Sequence, residues 1–266
     1  MKKILLVAVA CIIIGVIGIS MTYKQAVDAA ESGDKEKVIK NEAIKSLEIE
    51  LDAGDIVVQK GNDSSFYIKQ SGDIAKQKVD IEEQGNTLKV QGKVKKGPSF
   101  NISFLNFGFK APRITVVVPE RVYQEVRVKS SAGEITVSDL KGEHIEVATL
   151  GGDVEVERVM AKKVEGSSKA GEVKMKKVSG KVVAKTTGGD VDVIDHDPTY
   201  DLEASSTAGE VDIRLLQKPQ NATVSGQTFA GEVRIFNEED RNVTLGNGSV
   251  KISGQTSAGD VTIEAN

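Results

Sequence analysis

One short pattern, recurring along most of the chain, limits the fold more than any other feature: small residue, Gly, acid, apolar, any residue, apolar. It occurs eight times, first as Ala53-Gly54-Asp55-Ile56-Val57-Val58 and last as Ala258-Gly259-Asp260-Val261-Thr262-Ile263. The glycines are Gly54, Gly133, Gly152, Gly171, Gly189, Gly209, Gly231 and Gly259, and from Gly133 onward they lie 19, 19, 18, 20, 22 and 28 residues apart. Self-similarity near 20 residues is the signature of a solenoid, in which each repeat is one coil that cannot bury its apolar face alone.

Each repeat reads as strand, turn, strand. Apolar residues alternate after the acid, as in Val154-Glu155-Val156, which is the two-residue period of a strand. A second short strand precedes each glycine, as in Ile145-Glu146-Val147. Between them the glycine supplies a backbone that can turn sharply at positive φ. Stacking such coils at about 4.8 Å places Val on Val and Ile on Ile. The expected fold is all-β: a single parallel β-solenoid, preferred as a right-handed β-helix, over residues 44–266. No stretch after Asn41 shows a sustained helical period. Residues 44–119 are less regular and read as opening coils or a cap with larger loops.

Composition supports a core without large rings. Aromatic residues are 4% of the chain and tryptophan is absent, whereas hydrophobic residues are 39%. That apolar fraction excludes wholesale disorder. Net charge is −4 with lysines and acids interleaved, so no basic patch marks a nucleic-acid partner. The single cysteine, Cys11, excludes an intramolecular disulfide and a cysteine metal site.

The N-terminus reads as an address. Lys2 and Lys3 precede an apolar run from Ile4 to Ile19, and the chain turns polar at Lys24. Counted through Tyr23, the run just reaches the length of a membrane span. The lysines favour a cytoplasmic N-terminus. The expectation is a transmembrane signal anchor over 1–23, with residues 4–23 in the membrane, a polar stalk over 24–43 and an extracytoplasmic domain. A cleaved signal peptide ending near Val27-Asp28-Ala29, or a lipobox at Ala8-Val9-Ala10-Cys11, are the alternatives. All three send the remainder across the membrane.

Three groups of residues are candidate sites. The acids Asp55, Glu134, Asp153, Glu172, Asp190, Glu210, Glu232 and Asp260 would form a ladder if the coils stack in register. A cation such as Ca²⁺ could bridge them. One acid per repeat instead favours a turn residue that accepts backbone N–H bonds. Phe100, Phe104, Phe107 and Phe109 crowd four of the seven phenylalanines into one segment and mark a possible interaction surface. Against that, they could plug the end of the solenoid. The loop Asp195-His196-Asp197-Pro198-Thr199-Tyr200 and the second histidine, His144, offer acid–base groups. No nucleophile motif accompanies either, and core or turn roles account for both.

The run Ile114–Leu140 (ITVVVPERVYQEVRVKSSAGEITVSDL) and the Gly-Asp/Glu coils after it resemble the "putative adhesin" domain of LiaG-like bacterial envelope proteins. The resemblance covers residues 44–266 and extends to the N-terminal anchor. It implies a single-pass membrane protein with a solenoid facing outward and carries over no catalytic residues; no cofactor or metal is expected. The expected function is therefore a non-catalytic surface binding or structural module that contacts the cell wall or an envelope protein. An accessory or sensor role in envelope-stress signalling is the alternative, and a polysaccharide-active β-helix enzyme is the third.

Overall fold

The structure, a computed structural model, describes residues 35–72, 77–94, 112–236 and 238–266. The expected membrane anchor, most of the expected stalk and Phe100, Phe104, Phe107 and Phe109 lie outside the described residues. Among the described residues no helix is long and apolar enough to cross a membrane.

The described residues form two eleven-stranded sheets facing each other across one apolar core. Each coil contributes one strand to each sheet, with the repeat glycine at the corner between them. Coil 141–157 is representative: Lys141–Gly151 lies in the second sheet and Val154–Glu157 in the first. Their buried positions alternate, so every second side chain enters the slab.

Parallel pairing puts like on like. Val154 faces Ile135 on one side and Val173 on the other, and Val156 lies between Val137 and Met175. All are fully buried. Across the slab, one column of the second sheet shrinks along the stack: Val90, Ile49, Val128, Val147, Gly166, Ala184, Ala204, Gly254, Gly226. The small end makes room for side chains opposite. A Cβ at Gly226 would come within 2.4 Å of Val233 Cγ1, and one at Gly254 within 2.7 Å of Val261 Cγ1.

The order of coils in space is not their order in the chain. From one end it runs 87–94 with 113–118, then 46–60, 122–138, 141–157, 160–176, 179–196, 202–215, 250–265, 222–235. At each end, therefore, the outermost coil belongs to an inner part of the sequence. Leu47 sits between Leu88 and Val126, and Val261 between Val211 and Val233. The described parts of residues 44–119, read as opening coils or a cap, supply the two coils at one end, with 46–60 the inner of the two.

Antiparallel strands close the ends. Gln77–Gln84 pairs with Thr87–Val94, Phe66–Ser71 with Arg113–Val118, and Asn242–Leu245 with Ala222–Ala230. The expected stalk needs correction at its C-terminal end. Lys35–Ile39 is a strand antiparallel to Phe66–Ser71, and Ile39 and Ile44 are buried. Arg121 holds this entry in place: its Nη1 donates to the carbonyls of Glu42 and Ile44, both at 3.0 Å, and its guanidinium lies 5.5 Å from the buried Phe66 ring. Within the expected stalk, burial of Ile39 and the backbone pairing of 35–39 outweigh the polar character of the segment.

Candidate functional site

The glycine corner is built by close backbone stacking. All eight repeat glycines have φ between +114° and +151°, a region that L-residues avoid. Each also lies against the previous coil's backbone. A Cβ on Gly171 would sit 2.1 Å from the Gly152 carbonyl oxygen, and one on Gly209 2.0 Å from that of Gly189. No side chain fits here, for two independent reasons.

Beside the glycines run two further columns. The acids stack as Asp55, Glu134, Asp153, Glu172, Asp190, Glu210, Asp260, Glu232, so Asp and Glu alternate without exception in space. In every Asp-to-Glu step the Asp carboxylate accepts the backbone N–H of the following Glu. The distances are 3.2 Å for Asp55, and 2.8 Å for Asp153, Asp190 and Asp260. The Glu carboxylates of the column reach out instead, Glu172 toward Lys174 at 3.5 Å and Glu232 to Arg234. Burial, with the nearby Asp192 charge adding to it, raises the Glu172 pKa. Among the described residues no group of three or more His, Cys, Asp or Glu is arranged to hold a metal ion.

The second column is hydroxyl. Ser130, Thr149, Ser168, Thr186, Ser206, Thr256 and Thr228 each donate to the carbonyl of the preceding coil's glycine, at 2.8–3.2 Å. Each stands three residues before its own glycine. A Ser or Thr stands at that position in seven of eight repeats, a sequence signal that the six-position pattern does not include. Its reason is physical: the tight glycine corner buries carbonyls, and the hydroxyl satisfies them.

Outside the hydroxyl column the corner opens into a long cleft. One part, about 560 Å³, runs from Glu50 past Ser131, Leu150, Ser167, Lys169 and Thr187 to Thr207. A second part, about 410 Å³, shares Thr186, Ser205 and Thr207 and continues to Gln255, Ser257, Gln227 and Phe229. Leu150 is 51% exposed and Phe229 is 94% exposed. Val94 and Pro112 lie beside this same corner, at one end of the stack. Val94 N–H donates to Asp52 and the Pro112 carbonyl accepts Asp55 N–H.

The histidine loop does not gather a catalytic group. His196 is 1% exposed and occupies a corner position beside Leu215, equivalent to Val178 and Val159 in earlier coils. Its Nε2 lies 3.1 Å from the Tyr200 carbonyl, and its Nδ1 is buried without a hydrogen-bond partner. Burial lowers its pKa, outweighing the Tyr200 carbonyl. Asp197 turns away to accept from the Thr199 N–H and hydroxyl, and Asp195 accepts from Asn266. His144 lies on the outer face of the second sheet, 2.7 Å from Glu165 and 3.7 Å from Glu125. Around it that face is a mesh of ion pairs, among them Arg127–Glu146, Lys129–Glu146, Lys163–Glu165 and Lys185–Glu203. Half-exposed charges that satisfy one another solvate a face; they do not focus on a reacting atom.

With this geometry in view, the chain matches the family model described as Toastrack DUF4097 twice, over residues 44–165 and 121–264. The overlapping matches fit a fold made of equivalent coils. None of the curated proteins compared with it matches by sequence. Among solved structures, a "putative adhesin" from Bacteroides fragilis aligns with TM-score 0.52 and 16% identity, over 88% of this chain and 97% of that one. A "putative adhesin" from Parabacteroides distasonis aligns with TM-score 0.40 and 12% identity, over 88% and 98%. A "putative lipid binding protein" from the same species gives 0.39 and 15%, over 87% and 97%.

Proposed function

The chain belongs to the Toastrack DUF4097 family, and from that premise we propose that it is a membrane-anchored, non-catalytic binding or structural module on the outer side of a bacterial membrane. Within the family we place it with the LiaG-like members, on the run Ile114–Leu140. The observation that carries this reading is how the repeat spends its polar groups. Asp, Ser, Thr and Gly of each corner bond to the adjacent coil, and the charged face pairs with itself. What faces outward is a stiff, regular surface with a continuous cleft. A rod that displays repeated side chains suits attachment to an extended partner better than turnover of a small one. The name carried by the Bacteroides fragilis protein of the same fold agrees with an adhesive role.

The test is co-sedimentation of the full-length chain, held in lipid nanodiscs, with insoluble cell wall and with polymer-stripped peptidoglycan. Pelleting with either fraction is expected. A variant with Phe100, Phe104, Phe107 and Phe109 replaced by serine reports whether that segment contributes. Failure to pellet with both fractions would sink the reading and move the function to a protein partner in envelope-stress signalling.

A further inference from the structure

We propose that the cleft along the glycine corner binds a linear, uncharged glycan laid lengthwise across the coils; this rests on the binding-module reading above and gives that module its ligand class. The argument starts from what the cleft lacks. Charged residues make up 28% of the chain, and the neighbouring sheet face is a mesh of ion pairs. From Ser167 to Gln227, by contrast, the cleft presents mainly hydroxyls and amides. Of its three lysines, Lys129 is already neutralised by Glu146 at 2.7 Å and Lys185 by Glu203 at 2.6 Å, which leaves Lys169 and the acid Glu50 as the cleft charges without an ion pair among the described residues. An anionic polymer would find few free cations here, and a cationic one few free acids.

Its polar groups are also unspent. The inward hydroxyls, such as Thr186 and Ser206, are committed to glycine carbonyls. Their outward neighbours Thr187, Ser205, Thr207, Ser257, Gln227 and Gln255 make no side-chain hydrogen bond among the described residues. They form two columns, Thr187, Thr207 and Ser257 in one and Ser205, Gln255 and Gln227 in the other, each stepping one coil at a time by about 4.8 Å, a step close to the length of one sugar ring. Donors and acceptors in regular register suit the hydroxyls and amides of a repeating polymer.

The apolar contacts sit at intervals that a chain ligand would use. Phe229, 94% exposed, stands beside Gln227 near one end of the cleft, and Leu150, 51% exposed, lies farther along it. Five coil steps separate them, about 24 Å at 4.8 Å per step. An exposed ring offers a flat platform for the C–H face of a sugar, with the polar rim around it taking the hydroxyls. Nothing in the core needs that ring outside, so its exposure is unexplained by packing.

The test measures binding of the full-length chain in nanodiscs to a panel of neutral oligosaccharides: dimers and hexamers of β-1,4-linked glucose, mannose, xylose and N-acetylglucosamine. Polyglutamate and polyphosphate serve as charged controls. At least one hexamer is expected to bind, and more tightly than its dimer. Phe229→Ala and Thr207→Glu should each weaken it about tenfold. Both positions are exposed, so melting temperature should not change. Lack of binding to every hexamer, binding only to the polyanions, or binding by both variants as tight as by the parent chain would each overturn the proposal. Wall co-sedimentation without hexamer binding would leave the binding-module reading standing and remove only the glycan, so the two failures are distinguishable.

Discussion

At the scale of single residues, position in the coil decides the consequence of a change more than chemistry does. Gly166 and Gly171 lie five residues apart. A Cβ at Gly166 meets the flexible end of Met175, at 2.2 Å, whereas one at Gly171 meets backbone at φ +147°. Gly166→Ala is expected to cost well under the ~1–3 kcal/mol typical of overpacking, and Gly171→Ala more than that; urea unfolding of both variants checks it. The adjacent threonines give a second pair. Thr186→Val removes a hydroxyl that donates to the Gly171 carbonyl and should cost about 1 kcal/mol. Thr187→Val, on an exposed side chain with no such bond, should leave stability unchanged. In the acid column, Asp153→Asn keeps an acceptor for the Glu172 N–H and should unfold later than Asp153→Ala.

His196 adds a pH dependence. Burial lowers its pKa in the fold, while the unfolded chain titrates near 6.5. The unfolded state thus binds more protons between the two values, and stability rises with pH there. The contribution is fully present above about pH 6.5 and is lost as pH falls through the folded value. His196→Val, which copies Val178 of the preceding coil, should remove this loss. The stability difference between variant and parent should then widen in the variant's favour from pH 7.5 to pH 5. A difference that stays constant with pH would show that His196 is not the titrating group.

At the scale of strands and coils, the informative fact is that the last coil in the sequence is not the last in the stack. Residues 222–235 reach the rest of the rod through 250–265. Deleting 248–266 should therefore strip amide-exchange protection from Val224 and Val233 although neither is removed. Protection at Val154 and Val173, several coils away, should persist, because a solenoid's stability is summed between neighbours. The end strands show how the open edges are managed. Lys35–Val38 and much of Gln77–Gln84 are exposed and rich in charge, which opposes edge-to-edge pairing with another chain.

At the scale of the whole molecule, the taper of the slab and the straight corner have different outcomes. The taper, from Ile49 and Val128 to Gly254 and Gly226, lets the two sheets approach at one end. The corner keeps one backbone geometry through every repeat, and so aligns the cleft residues into a single line. Replacing Gly226 by Val would push against Val233 and should lower stability by about 1–3 kcal/mol, while ligand binding at the Leu150 end of the cleft persists.

The sequence by itself determined the coil. The glycine spacing, the alternation of Val and Ile, and the acid after each glycine are local patterns, and local patterns follow from backbone sterics and the two-residue period. Even the hydroxyl three residues before seven of the eight glycines was legible, though it becomes meaningful only once the glycine carbonyls are seen to be buried. The tertiary structure alone decided the order of the coils. Glu232 precedes Asp260 in the chain, breaking the Asp–Glu alternation, and inserting coil 250–265 ahead of 222–235 restores it. It also decided that residues 35–39 join the rod, and that His196 faces the core while Phe229 faces out. Those outcomes depend on which coil lies against which, and a pattern repeated in every coil cannot specify that.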